Sequence, residues 1–348
     1  MKNMTIVKNT AWNSLVGHQW AADLLRGALA NNRVGHAYLF TGPEHIGKTT
    51  LARLLAQALN CLESDPSQRP CGECRSCRLI AADRHPDVRL VEPQVSGRGK
   101  RTLKIDEIRD LLRDLNLAPY EARHKVAILT HFDSATQGAA NAFLKTLEEP
   151  PKNVIILLTA SEADTLLPTI TSRCRVLALR PLATREIAAA LRERWQTPAQ
   201  QAERLAHLSD GRLGWAVSAL QQPALLEERE VHLASLSEAL PAQRVQRFDL
   251  ADRLAKNAEV LPDLLRTWLS WWRDATLLAW GSTEDNALVN VDQVDTLRAV
   301  TRRWERQQVA AALVQTKEAL WQLEHNANAR LVMENLMLHY PVAEETAD

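Results

Sequence analysis

Over residues 1–180, short apolar runs alternate with segments whose apolar positions recur at helical spacing. This alternation is typical of a parallel sheet with helices between its strands. The predicted strands are Ala37–Phe40, Asp87–Glu92, Lys125–Leu129, Val154–Thr159 and Arg175–Leu179. The predicted helices between them include Gln19–Ala30, Lys48–Asn60, Ile105–Leu115 and Ala139–Leu147.

Strand-type runs stop after Pro181. Three short helices are predicted next, at Thr184–Arg194, Pro198–Leu208 and Leu213–Leu220, followed by a long all-helical region from Leu225. The pattern thus predicts an α/β domain at 1–180, a three-helix segment at 181–222 (called the lid below) and a helical domain at 223–348. Trp268 and Trp272 lie one helical turn apart among leucines, which indicates a buried helix face rather than a surface that stacks bases.

Composition and charge leave the predicted domain organisation unchanged. Lys+Arg and Asp+Glu balance at 42 each, which argues against a protein that coats DNA through excess basic charge. No run approaches the roughly 18 apolar residues of a membrane span, and the first residues lack a signal-peptide pattern. We therefore expect a cytoplasmic protein with no membrane partner.

A complete phosphate-binding motif follows the first predicted strand. Gly42–Thr49 matches G-x-x-x-x-G-K-[ST] at every fixed position and opens the helix that starts at Lys48. In such a loop the lysine reaches the outer phosphates and the hydroxyl ligates Mg²⁺, so ATP or ADP with Mg²⁺ is the expected ligand. A strand–helix turn without ligand is the alternative. The predicted nucleotide-binding residues are Gly42, Gly47, Lys48, Thr49 and Thr50.

The acidic residues needed for hydrolysis are missing from the strand that should carry them. Hydrolysis needs a carboxylate for the Mg²⁺ shell and a group that orients the attacking water. Thr130 and His131 occupy those positions after Lys125–Leu129, and Asp133 is expected to cap the next helix. We therefore predict little hydrolysis by this chain alone, and the sequence leaves its status as an enzyme open.

Four cysteines cluster in the segment 61–77. Cys61, Cys71, Cys74 and Cys77 give the spacing C-x9-C-x2-C-x2-C, and short C-x2-C steps let sulfurs converge on one tetrahedral Zn²⁺. Disulfides or inert thiols are the alternative, but disulfides are rare in the cytosol. The prediction is a structural zinc knuckle. Cys174 stands alone and is expected to be an ordinary buried thiol.

Several motifs together resemble one family. The segment before the phosphate loop, the cysteine knuckle, Asn141–Pro151 and Leu167–Cys174 resemble the bacterial clamp-loader ATPase-fold subunits of DNA polymerase III, which are of the AAA+ class. The resemblance is strong over about the first 215 residues and weak in the helical remainder. It implies an AAA+ domain with a zinc-knuckle insertion, a small helical lid and an all-α collar for oligomerisation.

Within the Ser-Arg-Cys motif, the resemblance implies that Arg173 is an arginine finger that reaches ATP held by a neighbouring subunit. The alternative is a surface arginine in an ion pair. The motor subunits of the family carry an Asp-Glu pair where this chain has Thr130 and His131, and a lid arginine near a Gly-Ser-x-Arg pattern where it has Gly211–Gly214. Loss of the chain's own site with retention of Arg173 resembles the delta-prime type of subunit.

That type implies a mainly non-hydrolysing stator within the DNA polymerase III holoenzyme. Its implied partners are gamma/tau and delta subunits in a hetero-pentamer, with the sliding clamp and primer–template DNA contacted through the complex. Two alternatives stay open, namely an ATP-hydrolysing gamma/tau-like motor of the same loader and a zinc-dependent DNA-binding or repair protein. Neutral net charge counts against the second.

Overall fold

Strands and helices alternate along the first part of the chain, as the apolar pattern predicts. A computed structural model describes residues 11–95, 101–281, 288–325 and 327–341. The strands are β1 Ala37–Thr41, β2 Val88–Val91, β3 Gln94–Val95, β4 Arg101–Thr102, β5 Lys125–Leu129, β6 Val154–Ala160 and β7 Arg175–Ala178. The helices of this part are α1 Gln19–Ala30, α2 Lys48–Asn60, α3 Arg75–Ala81, α4 Ile105–Leu115, α5 Gln137–Glu148 and α6 Pro168–Thr171.

Five of these strands form one parallel sheet in the order β2-β5-β6-β1-β7. The three inner strands are buried along their whole length, which explains their continuous apolar runs. The order requires crossovers, and helices supply them. The predicted α/β class, a parallel sheet flanked by helices, is confirmed.

Helices cover both faces of this sheet. Side chains alternate along β1, so Tyr38 and Phe40 pack in one core with Leu51 of α2, whereas Leu39 packs in the other with Phe143 of α5. Two apolar cores thus lie on opposite faces of one sheet, and the strand ends carry the loops where ligands of such folds bind.

Several element boundaries differ from the prediction by one or two residues. Strand β2 is one residue shorter than Asp87–Glu92 at each end, and the Asp87 carboxylate before it accepts three backbone N–H groups, those of Tyr120, Glu121 and Ala122. Helix α5 begins two residues early because Thr136 caps it, with its hydroxyl oxygen accepting the Ala139 N–H.

The described part of the chain divides into two units, one running to Glu186 and including Gly211–Gly214, the other comprising Ile187–Asp210 and the chain from Trp215 onward. The separate lid at 181–222 and the boundary at 223 stay predictions. The remaining helices are α7 Thr184–Trp195, α8 Ala199–Leu208, α9 Leu213–Gln221, α10 Ala224–Ala239, α11 Arg244–Ala255, α12 Leu261–Ala279, α13 Val294–Arg303, α14 Arg306–Glu324 and α15 Ala329–His339.

Aromatic side chains form the centre of the second unit. Trp268, Trp271 and Trp272 of α12 are at most 2% exposed, and the ring of Trp272 lies 5.2 Å from that of Tyr340. The Trp268 indole N–H donates to the backbone oxygen of His232 at 2.7 Å. The predicted buried helix face is confirmed. Within the described ranges, no helix is both long enough and apolar enough to cross a membrane.

The tryptophan cluster gives a stability prediction. Trp272→Ala should lower the free energy of unfolding by about 3–5 kcal/mol, because it removes a fully buried indole and leaves a cavity. Trp321→Ala is the matched control, since Trp321 is 53% exposed and its loss should change stability by about 0.5 kcal/mol or less. Denaturant titration followed by circular dichroism measures both; equal losses would contradict the assignment of Trp272 to the core.

Candidate functional site

The predicted phosphate-binding loop, Gly42–Thr49, connects β1 to α2. Gly42 and Gly47 adopt positive φ angles of 137° and 107°, a region that favours glycine. A Cβ atom at Gly42 would lie 2.5 Å from the Leu179 backbone oxygen, so a larger residue does not fit without a shift. Gly47 caps α2, and the first N–H groups of a helix lack intrahelical partners and favour anions. The backbone here is suited to holding phosphate.

Lys48 lies inside this loop. Its ammonium group donates to the backbone oxygens of Gly42 and Pro43, at 2.5 and 2.7 Å. Burial lowers the pKa of Lys48, while the negative charges of Glu44 and Asp133 act in the opposite direction. A phosphate entering the loop would compete with these two carbonyl oxygens for the protons of the ammonium group.

Thr130 and His131 follow β5 at the carboxyl edge of the sheet, where the hydrolytic carboxylates were expected. Thr130 is buried, and its hydroxyl has no hydrogen-bond partner among the described residues. His131 has a left-handed backbone with φ of 48°, and its N–H donates to the Thr159 hydroxyl at 3.0 Å. Its Nδ1 lies 4.0 Å from a carboxylate oxygen of Glu44. Neither residue brings a carboxylate to the site.

Asp133 does not cap the next helix, and that interpretation is wrong because Thr136 fills the capping position. The Asp133 carboxylate instead accepts the backbone N–H and the hydroxyl of Ser161, which follows β6. The Ser161 backbone oxygen accepts the Gly42 N–H at 2.9 Å. Asp133 therefore holds the segment on which the phosphate loop rests. No local sequence signal indicates this pairing, since the two residues are 28 positions apart.

The segment Gly211–Gly214 closes on the same loop. The Gly214 N–H donates to the His45 backbone oxygen at 2.8 Å, and a Cβ atom at Gly214 would lie 2.6 Å from that oxygen. Burial lowers the pKa of His45; the charge of Glu44 raises it, and that of Arg212 lowers it. Arg212, which occupies the region of the missing lid arginine, is thus close enough for its charge to act on the phosphate loop.

Arg173 lies at the other edge of the sheet from this loop. Strand β7 pairs with β1 in parallel, with Arg175 opposite Tyr38, so Arg173 precedes β7 at the amino edge. The phosphate loop begins after β1 at the carboxyl edge. At about 3.3 Å per strand residue, the two are separated by about 15–20 Å along the strands. The chain's own arginine cannot serve the chain's own phosphate loop.

The Arg173 guanidinium is held by groups from two elements. It donates to a Glu148 carboxylate oxygen at 2.7 Å and to the Thr169 backbone oxygen at 2.8 Å. The ion-pair interpretation therefore describes the chain as it stands, while contact with a neighbour's nucleotide stays a prediction. Sequence reasoning missed Glu148 because it is 25 residues from Arg173, and the motif Asn141–Pro151 does not show that the Glu148 side chain points toward Arg173.

The four cysteines of the segment 61–77 come together. Their Sγ atoms all lie within 4.8 Å of one another. Cys61 follows α2 as its capping residue, Cys74 caps α3, and Cys77 lies in α3. Backbone N–H groups point at the sulfurs, with Cys71 N–H donating to Cys61 Sγ at 3.4 Å and Cys74 N–H to Cys71 Sγ at 3.3 Å. All five described cysteines, Cys174 included, are free thiols.

The donor set fits a metal ion. Burial raises the pKa of Cys61 and of Cys77, whereas for Cys74 burial is outweighed by the backbone N–H groups of Leu62 and Cys77, which lower its pKa to about 7. A cation bound by the four sulfurs would stabilise their thiolate forms and offset the repulsion between these buried charges. The cluster can therefore hold a metal ion. Cys174 lies apart, and burial raises its pKa to about 12, so it is an unreactive thiol.

The knuckle is joined to the helix that carries the phosphate loop. Besides Cys61, which ends α2, the Gln57 side chain of that helix donates to the Cys77 backbone oxygen at 2.8 Å. Asn60 exchanges two hydrogen bonds of 3.0 Å with the backbone of His124, just before β5. A metal at the cysteines would thus fix the carboxyl end of α2 against the start of β5.

Comparisons with known proteins find relatives over most of this chain. Residues 17–183 match the family model described as DNA polymerase III, delta subunit. The DNA polymerase III subunit delta' of Bacillus subtilis (strain 168) is 30% identical over 322 residues, covering 90% of this chain and 93% of that protein.

The DNA polymerase III subunit tau of Escherichia coli (strain K12) is 39% identical over 173 residues, covering 50% of this chain but 26% of that protein. Among solved structures, a DNA polymerase III gamma subunit-related protein from Thermotoga maritima aligns with a TM-score of 0.42 at 19% identity, covering 91% of this chain and 97% of that chain.

The cysteine cluster gives a metal prediction. Cys74→Ser should lower the metal content from about one ion per chain to near zero, because four thiolates are needed to close the site. The melting temperature should fall as well, since metal binding contributes to folding. Elemental mass spectrometry and thermal unfolding measure both. Cys174→Ser is the control and should keep the metal; full metal content in Cys74→Ser would rule out a four-cysteine site.

Proposed function

The chain belongs to the family of DNA polymerase III delta-prime subunits, and on that premise we propose that it is the mainly non-hydrolysing stator of a clamp loader. In this role it donates Arg173 to the ATP site of a neighbouring subunit, so that the loader can open a sliding clamp and load it on primer–template DNA. The observation that carries the proposal is the retention of Arg173 on a chain whose own nucleotide site has lost both carboxylates.

The chain's own loop would bind nucleotide without turning it over. Lys48 would neutralise phosphate oxygens, Thr49 would ligate Mg²⁺, and the backbone around Gly42, Gly47 and Thr50 would surround the phosphates. Water attack needs a positioned carboxylate or amide, and Thr130 and His131 supply neither. ATP or ADP would then act as a structural ligand of the stator.

Arg173 would act in trans. An arginine finger stabilises charge that develops on the transferred phosphoryl group. The pairing of β7 with β1 supports this direction of action, because it separates Arg173 from the phosphate loop of the same chain. A subunit of this kind completes a neighbour's site and leaves hydrolysis to that neighbour.

The cysteine knuckle would hold Zn²⁺ in a structural role. Four thiolates leave no open coordination position, which suits a closed structural site rather than a catalytic one. In the relatives' setting, the partners would be gamma/tau and delta subunits in a hetero-pentamer. Because the work is done on bacterial replicating DNA, the place would be the cytoplasm.

A second candidate function is a gamma/tau-like motor of the same loader. The 39% identity to the Escherichia coli tau protein over 173 residues favours it. The absence of carboxylates at Thr130 and His131 counts against it, because a motor requires side chains that hold Mg²⁺ and orient the attacking water.

The finger role is tested in the assembled loader. Arg173→Ala should leave the chain folded and assembled but lower DNA-dependent ATP turnover, since loss of a finger reduces hydrolysis about 10³–10⁵-fold at the site that it serves. Steady-state phosphate release measures the effect. Arg253→Ala, which removes another exposed arginine paired with a glutamate, is the control and should leave turnover unchanged. Unchanged turnover with Arg173→Ala would remove Arg173 from the mechanism.

A further inference from the structure

Arg173 and Glu148 form an ion pair between two elements that are close in space but distant in sequence. The Arg173 Nη2 lies 2.7 Å from Glu148 Oε1, and its Nη1 donates to the Thr169 backbone oxygen at 2.8 Å and to the Ser172 hydroxyl at 3.3 Å. Glu148 is the last residue of α5, and Thr169 lies in α6. The guanidinium is thus fixed at two of its nitrogen atoms.

Both supports of the guanidinium are anchored in the apolar core. Leu147, next to Glu148, is 1% exposed and packs with Phe143 against the sheet. On the other side, Ile170 is fully buried and Cys174 packs against the same core. The backbone on either side of the pair is therefore anchored, which limits where the Glu148 carboxylate can lie.

We propose that Glu148 is a positioning residue for the arginine finger. Its carboxylate holds the Arg173 guanidinium in the orientation that the arginine needs at the neighbouring subunit's nucleotide. The inference rests on the proposed function and names a residue of that same site. An arginine side chain has many rotamers, and ordering it on contact with nucleotide is unfavourable. A carboxylate that orders it beforehand reduces this entropy loss, and catalytic geometry is sensitive to displacements of about 1 Å.

A merely structural role for the pair predicts that removal of the Glu148 carboxylate destabilises the chain. Arg173 and Glu148 are both partly exposed, at 34% and 50% of their side-chain surfaces, and ion pairs at such sites add little to stability. Removal of the carboxylate should therefore leave folding and assembly intact. An inhibitory role, in which Glu148 keeps the arginine away from nucleotide, predicts faster hydrolysis once Glu148 is removed.

The test is a double-mutant cycle in the reconstituted loader. Wild type, Glu148→Ala, Arg173→Ala and the double variant are compared by ATP turnover at saturating ATP and primed DNA, and by the KM for ATP. Finger-dependent turnover is the difference between the wild-type and Arg173→Ala loaders. Glu148→Ala should lower it about tenfold with KM little changed, within the range expected for a misplaced catalytic group. In the double variant, loss of Glu148 should add nothing to loss of Arg173.

Two further variants test whether the hydrogen bond from Arg173 to Glu148 is the cause of the lost turnover. Glu148→Gln should recover part of the turnover, because its amide oxygen still accepts a hydrogen bond from the guanidinium. Glu149→Ala removes the exposed carboxylate next in the chain and should leave turnover at the wild-type level. Melting temperature and co-elution with the loader subunits should be the same for all variants.

The outcomes distinguish a failure of the positioning role of Glu148 from a failure of the finger role of Arg173. If Arg173→Ala lowers turnover while Glu148→Ala matches or exceeds the wild type, the positioning role is wrong and the finger stands. An additional effect of Glu148→Ala in the Arg173→Ala background would also overturn it, because the carboxylate would then act through something other than Arg173. If Arg173→Ala itself has no effect, the proposed function fails and the positioning role with it.

Discussion

The parallel pairing of β7 with β1 is the constraint on which the rest of the account depends. It places the phosphate loop at the carboxyl edge of the sheet and Arg173 at the amino edge, with about five residues of strand between them. Arg173 and the phosphate loop therefore do not meet within the same chain. In the proposed role, Arg173 would reach the nucleotide of a neighbouring subunit, and the two sites of one chain could change independently.

The phosphate loop keeps its form although the hydrolytic residues are gone. Asp133 and Ser161 hold the segment beneath Gly42, Gly214 bonds to His45, and Lys48 joins the loop's own carbonyl oxygens. These contacts stabilise the loop without a carboxylate at Thr130 or His131. At the other end of α2, the cysteine knuckle holds the helix through Cys61 and through the hydrogen bond from Gln57 to Cys77. The chain's own residues thus hold the loop in place, as the proposed stator role requires.

Much of this fold could be predicted from sequence because the signals are local. The apolar runs locate the strands, the boundaries of α1, α2 and α4 match the prediction, and C-x2-C spacing alone brings Cys71, Cys74 and Cys77 together. The contacts of Asp133 and Glu148 could not be predicted, since their partners lie 28 and 25 residues away and surface carboxylates have no periodic pattern. The local pattern alone therefore predicts a helix cap at Asp133.

The most direct test of the central claim is nucleotide binding and turnover by the purified chain alone, with Lys48→Ala as the control. Calorimetry with ATP and with ADP measures binding, and phosphate release measures turnover. We expect binding that Lys48→Ala abolishes, together with phosphate release no faster than that of the Lys48→Ala variant. Rapid turnover that disappears in Lys48→Ala would contradict it, because Thr130 and His131 would then support hydrolysis and the chain would be a motor.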